Sequence, residues 1–226
     1  MKRELVGQLH GTVGLAYARL GQAEKAITYH EQHLQIAREI QDRRVEGSAL
    51  GNLGNAYFHL GQAEKAIGYL EQVLIISRDI RDRRVEGNAL GNLGIAYKDL
   101  GQTEKAIGYH EQHLQIARDI QDRRGEGSAL GNLGNAYFHL GQTEKAIGYH
   151  EQALIISRDI RDRRGEGNAL GTLGIAYARL GQTEKAIGYH EQALQIGQEI
   201  KDPEIVRVAS AALTRLGRPP GPSQGC

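Results

Sequence analysis

Apolar side chains recur along the chain at three- and four-residue steps, in two kinds of stretch that alternate. The first kind carries a stripe at Leu50, Leu53, Gly54, Tyr57 and Leu60. The second carries one at Ala66, Ile67, Leu70, Leu74 and Ile76. Spacing of this kind places the apolar residues on one side of an α-helix. The pattern therefore predicts pairs of amphipathic helices joined by short turns.

The helix pairs repeat with a period of 40 residues. The segment 51–90 returns at 131–170 with changes only at Thr143, His150, Ala153 and Gly165. An Asp precedes each internal first helix as a predicted N-cap, at Asp42, Asp82, Asp122 and Asp162. A Gly follows each first helix as a predicted C′ residue, at Gly21, Gly61, Gly101, Gly141 and Gly181. The near-identity of two copies indicates duplication of an 80-residue pair.

These boundaries divide the chain into five repeats, a cap and a tail. The repeats fall at about 1–40, 41–80, 81–120, 121–160 and 161–200. Asp202 and Pro203 open a predicted capping helix within 201–217, and the Pro- and Gly-rich segment 218–226 is predicted to be disordered. Because one helix hairpin cannot bury its own apolar face, we expect an all-α solenoid in which neighbouring repeats share a core.

Composition and charge narrow the class of protein. The chain contains 30 Gly, a share that by itself suggests disorder, yet 40% of its residues are hydrophobic and its net charge is +1. We therefore expect folded repeats with Gly at defined positions. The balanced charge argues against a nucleic-acid partner, and no apolar run is long enough for a membrane span. A single Cys favours a reducing compartment, which we take as the cytoplasm.

The segments LGNLGNAY and LGQTEKAIGYHEQ resemble the tetratricopeptide repeat. Gly54, Tyr57 and Ala66 match its small and aromatic positions, whereas Leu50 stands where Trp is usual and the Pro after the second helix is missing. The longer unit is similar to repeats of G-protein-signalling-modulator scaffolds, kinesin light chains and bacterial arrays that follow a switch domain. This resemblance implies a right-handed α-solenoid whose first helices line a concave groove for a protein partner.

Helical phase selects the first-helix residues that would face this groove. They are Asn52, Asn55, His59, Asn92, Ile95, Lys98, Asp99, Asn132, Asn135, His139, Thr172 and Arg179. In similar arrays an asparagine row holds an extended peptide backbone, and here the resemblance assigns that role to Asn52, Asn92 and Asn132. A Gly beside each Asn would leave the groove floor bare. The alternative is that these amides bond to the adjacent repeat or face water.

Other motifs indicate structure rather than chemistry. The pair His30 and His33 is spaced i, i+3 without a third ligand, and other repeats carry Leu, Val or Ala at these positions, so we interpret both as core residues. Arginines near the repeat boundaries alternate with Asp and Glu, which predicts a solvated, salt-bridged turn. No phosphate loop or Ser/His/Asp set is present. We expect no catalytic residue, metal site or cofactor.

The sequence thus favours a non-enzymatic interaction module or scaffold that binds an extended peptide or a partner helix in its groove. Two alternatives stay open. Near-identical repeats expose similar faces, so the chain could be a self-associating structural array or spacer. It could also be the sensor fragment of a larger switch protein.

Overall fold

The computed structural model describes residues 2–218, which form eleven α-helices and no strand. They are α1 (Lys2–Arg19), α2 (Ala23–Glu39), α3 (Arg43–His59), α4 (Ala63–Asp79), α5 (Arg83–Asp99), α6 (Thr103–Asp119), α7 (Arg123–His139), α8 (Thr143–Asp159), α9 (Arg163–Arg179), α10 (Thr183–Glu199) and α11 (Pro203–Arg215). The predicted all-α fold with a final capping helix is confirmed. The predicted disordered tail lies, Arg218 apart, outside the described residues.

The helices form two compact units. Unit 1 spans Met1–Ile120 and contains α1 to α6, and unit 2 spans Gln121–Cys226 and contains α7 to α11. Within each unit every helix packs against the next one along the chain, as in a solenoid. None of the described helices is long and apolar enough to cross a membrane.

The turn from the first to the second helix of a repeat depends on glycine. The residues Gly21, Gly61, Gly101, Gly141 and Gly181 have φ between 70° and 77°, in the left-handed region that glycine adopts without strain. The Gly61 N–H donates to the Phe58 carbonyl at 2.9 Å, and the Gln62 N–H donates to the Tyr57 carbonyl at 3.0 Å. These bonds satisfy the last carbonyls of the helix, and they confirm the predicted C′ glycines.

The turn from one repeat to the next follows the same path without glycine. The residues Gln41, Arg81, Gln121, Arg161 and Lys201 have φ between 55° and 57°. The Asp that follows each of them caps the next helix, as predicted; the Asp82 carboxylate, for example, accepts from the Val85 N–H at 3.1 Å. Sequence reasoning anticipated the cap but not the strained residue before it.

The core of each unit is built from the predicted apolar stripes and from buried histidines. Leu50 and Leu53 are fully buried in unit 1, and Leu170 and Leu173 are buried in unit 2. The His30, His110 and His150 side chains lie on the second helices against a glycine of the first helix. Burial lowers their pKa values to about 4, so they are neutral at physiological pH. Their predicted role as core residues is confirmed.

Candidate functional site

The predicted site residues lie on what we call the groove face, the side of α3 and α5 in unit 1 and of α7 and α9 in unit 2 that does not belong to the buried stripe. None of the twelve side chains is buried. Asn55, His59, Asp99, Asn135, His139 and Arg179 are exposed, and Asn52, Asn92, Ile95, Lys98, Asn132 and Thr172 are half-buried. The helical phase assigned from the sequence therefore leaves all of them accessible to a ligand.

The three asparagines of the row, Asn52, Asn92 and Asn132, differ in their side-chain hydrogen bonds. The Asn92 side-chain amide donates to the Asn55 oxygen at 3.4 Å, a long bond that links α5 to α3. Within the described residues, Asn52 and Asn132 make no such bond. Thr172 takes the row's place in the fifth repeat, and its hydroxyl donates to the Ala169 carbonyl of its own helix at 2.9 Å. The row therefore contains one amide that bonds to the preceding repeat, at Asn92, and two amides without a partner among the described residues, at Asn52 and Asn132.

Several neighbours of the row are already engaged. The Lys98 ammonium lies 3.4 Å from the Asp99 carboxylate. The Arg179 guanidinium donates to the Phe138 carbonyl at 3.1 Å and lies 4.7 Å from the centre of the Phe138 ring. Arg179 thereby links α9 to α7, a structural contact that its position in the sequence does not reveal.

A cavity of about 310 Å³ opens on the groove face of unit 2, between α7 and α9 and above α8. We call it the unit-2 slot; it is lined in part by Asn132, Asn135, Ala153, Gly165, Asn168 and Thr172. It brings together three of the predicted site residues, Asn132, Asn135 and Thr172. The slot was missed from the sequence, although Ala153 and Gly165 are among the four differences between the near-identical copies.

The arginines at the repeat boundaries form a network of ion pairs. In unit 1 the Glu46 carboxylate accepts from the Arg38 Nε at 2.9 Å and from Arg43 at 2.7 Å, and Arg43 also reaches Asp79 at 3.0 Å. Burial alone would raise the pKa of Glu46, but the two arginine bonds outweigh it and lower that pKa. The network joins α2, α3 and α4. The predicted salt-bridged turn is confirmed.

Each repeat also holds a stacked tyrosine pair that sequence reasoning missed. The Tyr57 and Tyr69 rings are 5.3 Å apart and nearly parallel, and the Lys65 ammonium lies 5.1 Å from the centre of the Tyr57 ring. Tyr57 is on α3 and Tyr69 is on α4, so the stack ties together the two helices of one repeat. The only signal in the sequence is that both tyrosines recur in every repeat.

No group of three His, Cys, Asp or Glu side chains within residues 2–218 is placed to hold a metal ion. The titratable groups with shifted pKa values are the buried histidines, the ion-paired arginines and glutamates, and the stacked tyrosines. All of these have structural partners or lie in the core. What the groove face offers is amide groups, small residues and a slot.

A family model described as tetratricopeptide repeat matches residues 5–74, 45–119 and 126–199. The comparison with curated protein sequences returned no match.

Solved structures share the fold at low identity. A signal transduction ATPase with numerous domains and a tetratricopeptide repeat sensor, from Pyrococcus horikoshii, matches with a TM-score of 0.80 at 24% identity, over 94% of this chain and 34% of that one. A putative kinesin light chain with nearly identical TPR-like repeats, from Podospora anserina, matches with a TM-score of 0.72 at 23% identity, over 86% of this chain and 95% of that one.

A Rap protein complexed with competence and sporulation factor gives a TM-score of 0.79 at 18% identity, over 94% of this chain and 63% of that one. The chain thus spans about a third of the Pyrococcus protein and less than two thirds of the Rap protein. At these identities the likeness concerns the fold alone. Because the family match covers most of the chain and its helix pairs pack as the repeat requires, this protein belongs to the tetratricopeptide repeat family.

Proposed function

We propose that the protein is a non-enzymatic interaction module whose groove face binds an extended segment of a protein partner. The observation that carries this proposal is the pair of half-buried amides of Asn52 and Asn132, which have no partner within the described residues. A side-chain amide is both donor and acceptor, so it can bond to a peptide N–H and C=O whatever the peptide sequence.

The residues beside these amides favour an extended backbone. Gly51 and Gly131 directly precede Asn52 and Asn132 and are partly exposed. A residue without a side chain lets a ligand main chain approach the helix closely. The fold is also that of a Rap protein whose structure was solved with competence and sporulation factor, which supports ligand binding as a use of this fold.

The test uses the intact chain and a random 12-residue peptide library displayed on phage. We expect enriched peptides, and we expect their binding to weaken at least tenfold when Asn52, Asn92 and Asn132 are all changed to Ala. Each lost hydrogen bond is worth about 0.5–1.5 kcal/mol. Isothermal titration calorimetry measures the affinity.

The matched control removes three amides from the second helices instead, through Gln32→Ala, Gln112→Ala and Gln152→Ala. These glutamines are exposed and lie off the groove face. The control should bind within twofold of the parent. Equal binding by the asparagine triple variant, at unchanged helicity, would show that the row does not hold the ligand.

A further inference from the structure

The unit-2 slot is lined by two residues that are smaller than their equivalents in the near-identical copy. Val73 and Val85 of unit 1 correspond to Ala153 and Gly165 of unit 2. Val73 is 4% exposed, and a Cβ added to Gly51 would lie 3.9 Å from its Cγ2 atom. A Cβ added to Gly131 would meet nothing within 4 Å. The floor of the α7–α9 cleft is therefore open where its counterpart is filled.

In the first and third repeats, the space equivalent to the slot floor is also occupied by a side chain. There the residue equivalent to Ala153 is a histidine, and a Cβ added to Gly11 or to Gly91 would lie 2.9 Å from the ring of His33 or His113. Gly171 resembles Gly131, since a Cβ there would also meet nothing within 4 Å. The small residues at Ala153 and Gly165 together are specific to the fourth repeat and the turn that follows it.

The lining of the slot defines what it can hold. Its floor is formed by small and apolar groups such as Gly131, Ala153 and Ile156, and its walls carry the amides and hydroxyl of Asn132, Asn168 and Thr172. A volume of about 310 Å³ is at the lower end of the range for ligand pockets. The slot therefore suits one large side chain with an apolar body and a hydrogen-bonding edge.

The charged groups around the slot are engaged, with one exception. The Asp162 carboxylate caps α9 by accepting from the Gly165 N–H at 2.9 Å, and Arg164 pairs with Asp202 at 3.0 Å. Burial keeps His150 neutral. Arg124 is exposed and makes no ion pair within the described residues. A guanidinium stacks well on an aromatic face, so it adds to the case for an aromatic ligand group.

We propose that the unit-2 slot is an anchor pocket for one aromatic side chain with a polar edge, a tyrosine or a tryptophan, of the bound peptide segment. The inference rests on the proposed function, because it names the side chain that the peptide places against unit 2. Aromatic side chains bury the largest apolar area, and their O–H or N–H finds a partner among the wall amides. Such anchors in small pockets carry much of the binding energy of an interface.

The test fills the slot with valine, the residue that the second repeat carries at the position equivalent to Ala153. Peptides enriched from the random 12-residue library should share one aromatic position. Their binding should weaken at least tenfold in Ala153→Val, measured by calorimetry. The control is Ala193→Val, the same change one repeat later and outside the slot, which should bind within threefold of the parent.

Fluorescence gives a second readout, because the chain contains no Trp. With Trp at the shared aromatic position, the peptide emission should shift to shorter wavelength on binding the parent and Ala193→Val, but not on binding Ala153→Val. Gly131→Ala, whose added methyl group enters open space, keeps the proposal testable if Ala153→Val is unstable. It should weaken binding of the aromatic peptide at least threefold but leave unchanged the binding of the same peptide with Ala at the shared position, whereas Gly171→Ala should weaken neither.

The outcomes separate this inference from the function on which it rests. The anchor pocket alone would be refuted if the enriched peptides need the asparagine row but share no aromatic position. It would also be refuted if these peptides bind Ala153→Val with an affinity within threefold of the parent's. Peptides that need Ala153 but tolerate the asparagine triple variant would refute the role of the row alone. A library that yields no binding peptide contradicts both.

Discussion

At the scale of single residues, each repeat depends on a glycine of its first helix that faces a large side chain of its second helix. A Cβ added to Gly54 would lie 3.0 Å from the Leu70 Cγ atom, and one added to Gly134 would lie 2.6 Å from the His150 Cε1 atom. Glycine destabilises a helix by about 1 kcal/mol relative to alanine. At Gly54 and Gly134 the close packing of the two helices offsets this cost. Other helical glycines, such as Gly148, have open space around the missing Cβ.

This difference predicts opposite effects for the same substitution. Gly134→Ala should destabilise unit 2 by about 1–3 kcal/mol, because the new methyl group overlaps the buried His150 ring. Gly148→Ala should stabilise it by about 0.5–1 kcal/mol, because alanine is the better helix former and nothing lies in its way. Urea denaturation followed by circular dichroism compares the two variants. A Gly134→Ala variant as stable as the parent would contradict the packing described.

At the scale of helices and turns, the two kinds of turn in a repeat reach the same left-handed conformation at different cost. After the first helices the residue is glycine, whereas after α4 it is Arg81 with φ of 57°. A non-glycine residue is strained there by about 1–2 kcal/mol. The turn is tolerated because the Asp82 N–H donates to the Ser77 carbonyl at 2.8 Å and the Asp82 side chain caps α5.

We therefore expect Arg81→Gly to raise the free energy of unfolding by about 1 kcal/mol. The Arg81 side chain makes no ion pair or hydrogen bond within the described residues, so nothing is lost with it. Arg81→Ala is the control, since alanine keeps the unfavourable φ and should bring no gain. Thermal and urea unfolding compare the parent, Arg81→Gly and Arg81→Ala. An equal increase in the free energy of unfolding for both variants would show that the φ of residue 81 is not its cause.

At the scale of the whole molecule, the two ends of the chain differ. Helix α11 covers α10 with Ile205, Ala209 and Leu213, all buried. On α1, Leu5 is 68% exposed and Leu9 is 59% exposed, whereas Ala49, the residue equivalent to Leu9 one repeat later, is fully buried. The apolar side of α1 is therefore uncovered among the described residues, whereas the equivalent helix α3 packs against α2.

The buried histidines of both units predict how stability changes with pH. Their pKa values are about 4 in the folded protein and 6.5 in the unfolded chain, so the unfolded chain takes up protons first as the pH falls. Stability should be full above pH 6.5, fall between pH 6.5 and 4, and change no further from this cause below pH 4. Between pH 6.5 and 5 the loss should be on the order of 1–2 kcal/mol per histidine.

Urea denaturation at a series of pH values checks this expectation. His150→Leu reproduces the residue of the sister copy, Leu70, and should reduce the slope in this window. The Glu46 and Glu86 carboxylates affect stability separately. Their pKa values are lowered in the folded protein, so their contribution to stability is lost only at a pH below the window between pH 6.5 and 5. A stability that does not change between pH 6.5 and 5 would contradict the burial of the histidines as neutral rings.

The sequence by itself determined the helices, their caps, the glycine turns and the accessible side of α3, α5, α7 and α9. These follow from interactions within one hairpin, whose period and cap residues are local. Only the tertiary structure decided which groove residues are free. The engagement of Arg179 by Phe138, the Asn92 bond to Asn55 and the slot above Ala153 all involve helices whose contacting residues are about 20 to 40 positions apart. Such contacts depend on how close neighbouring repeats approach, which a repeating pattern does not specify.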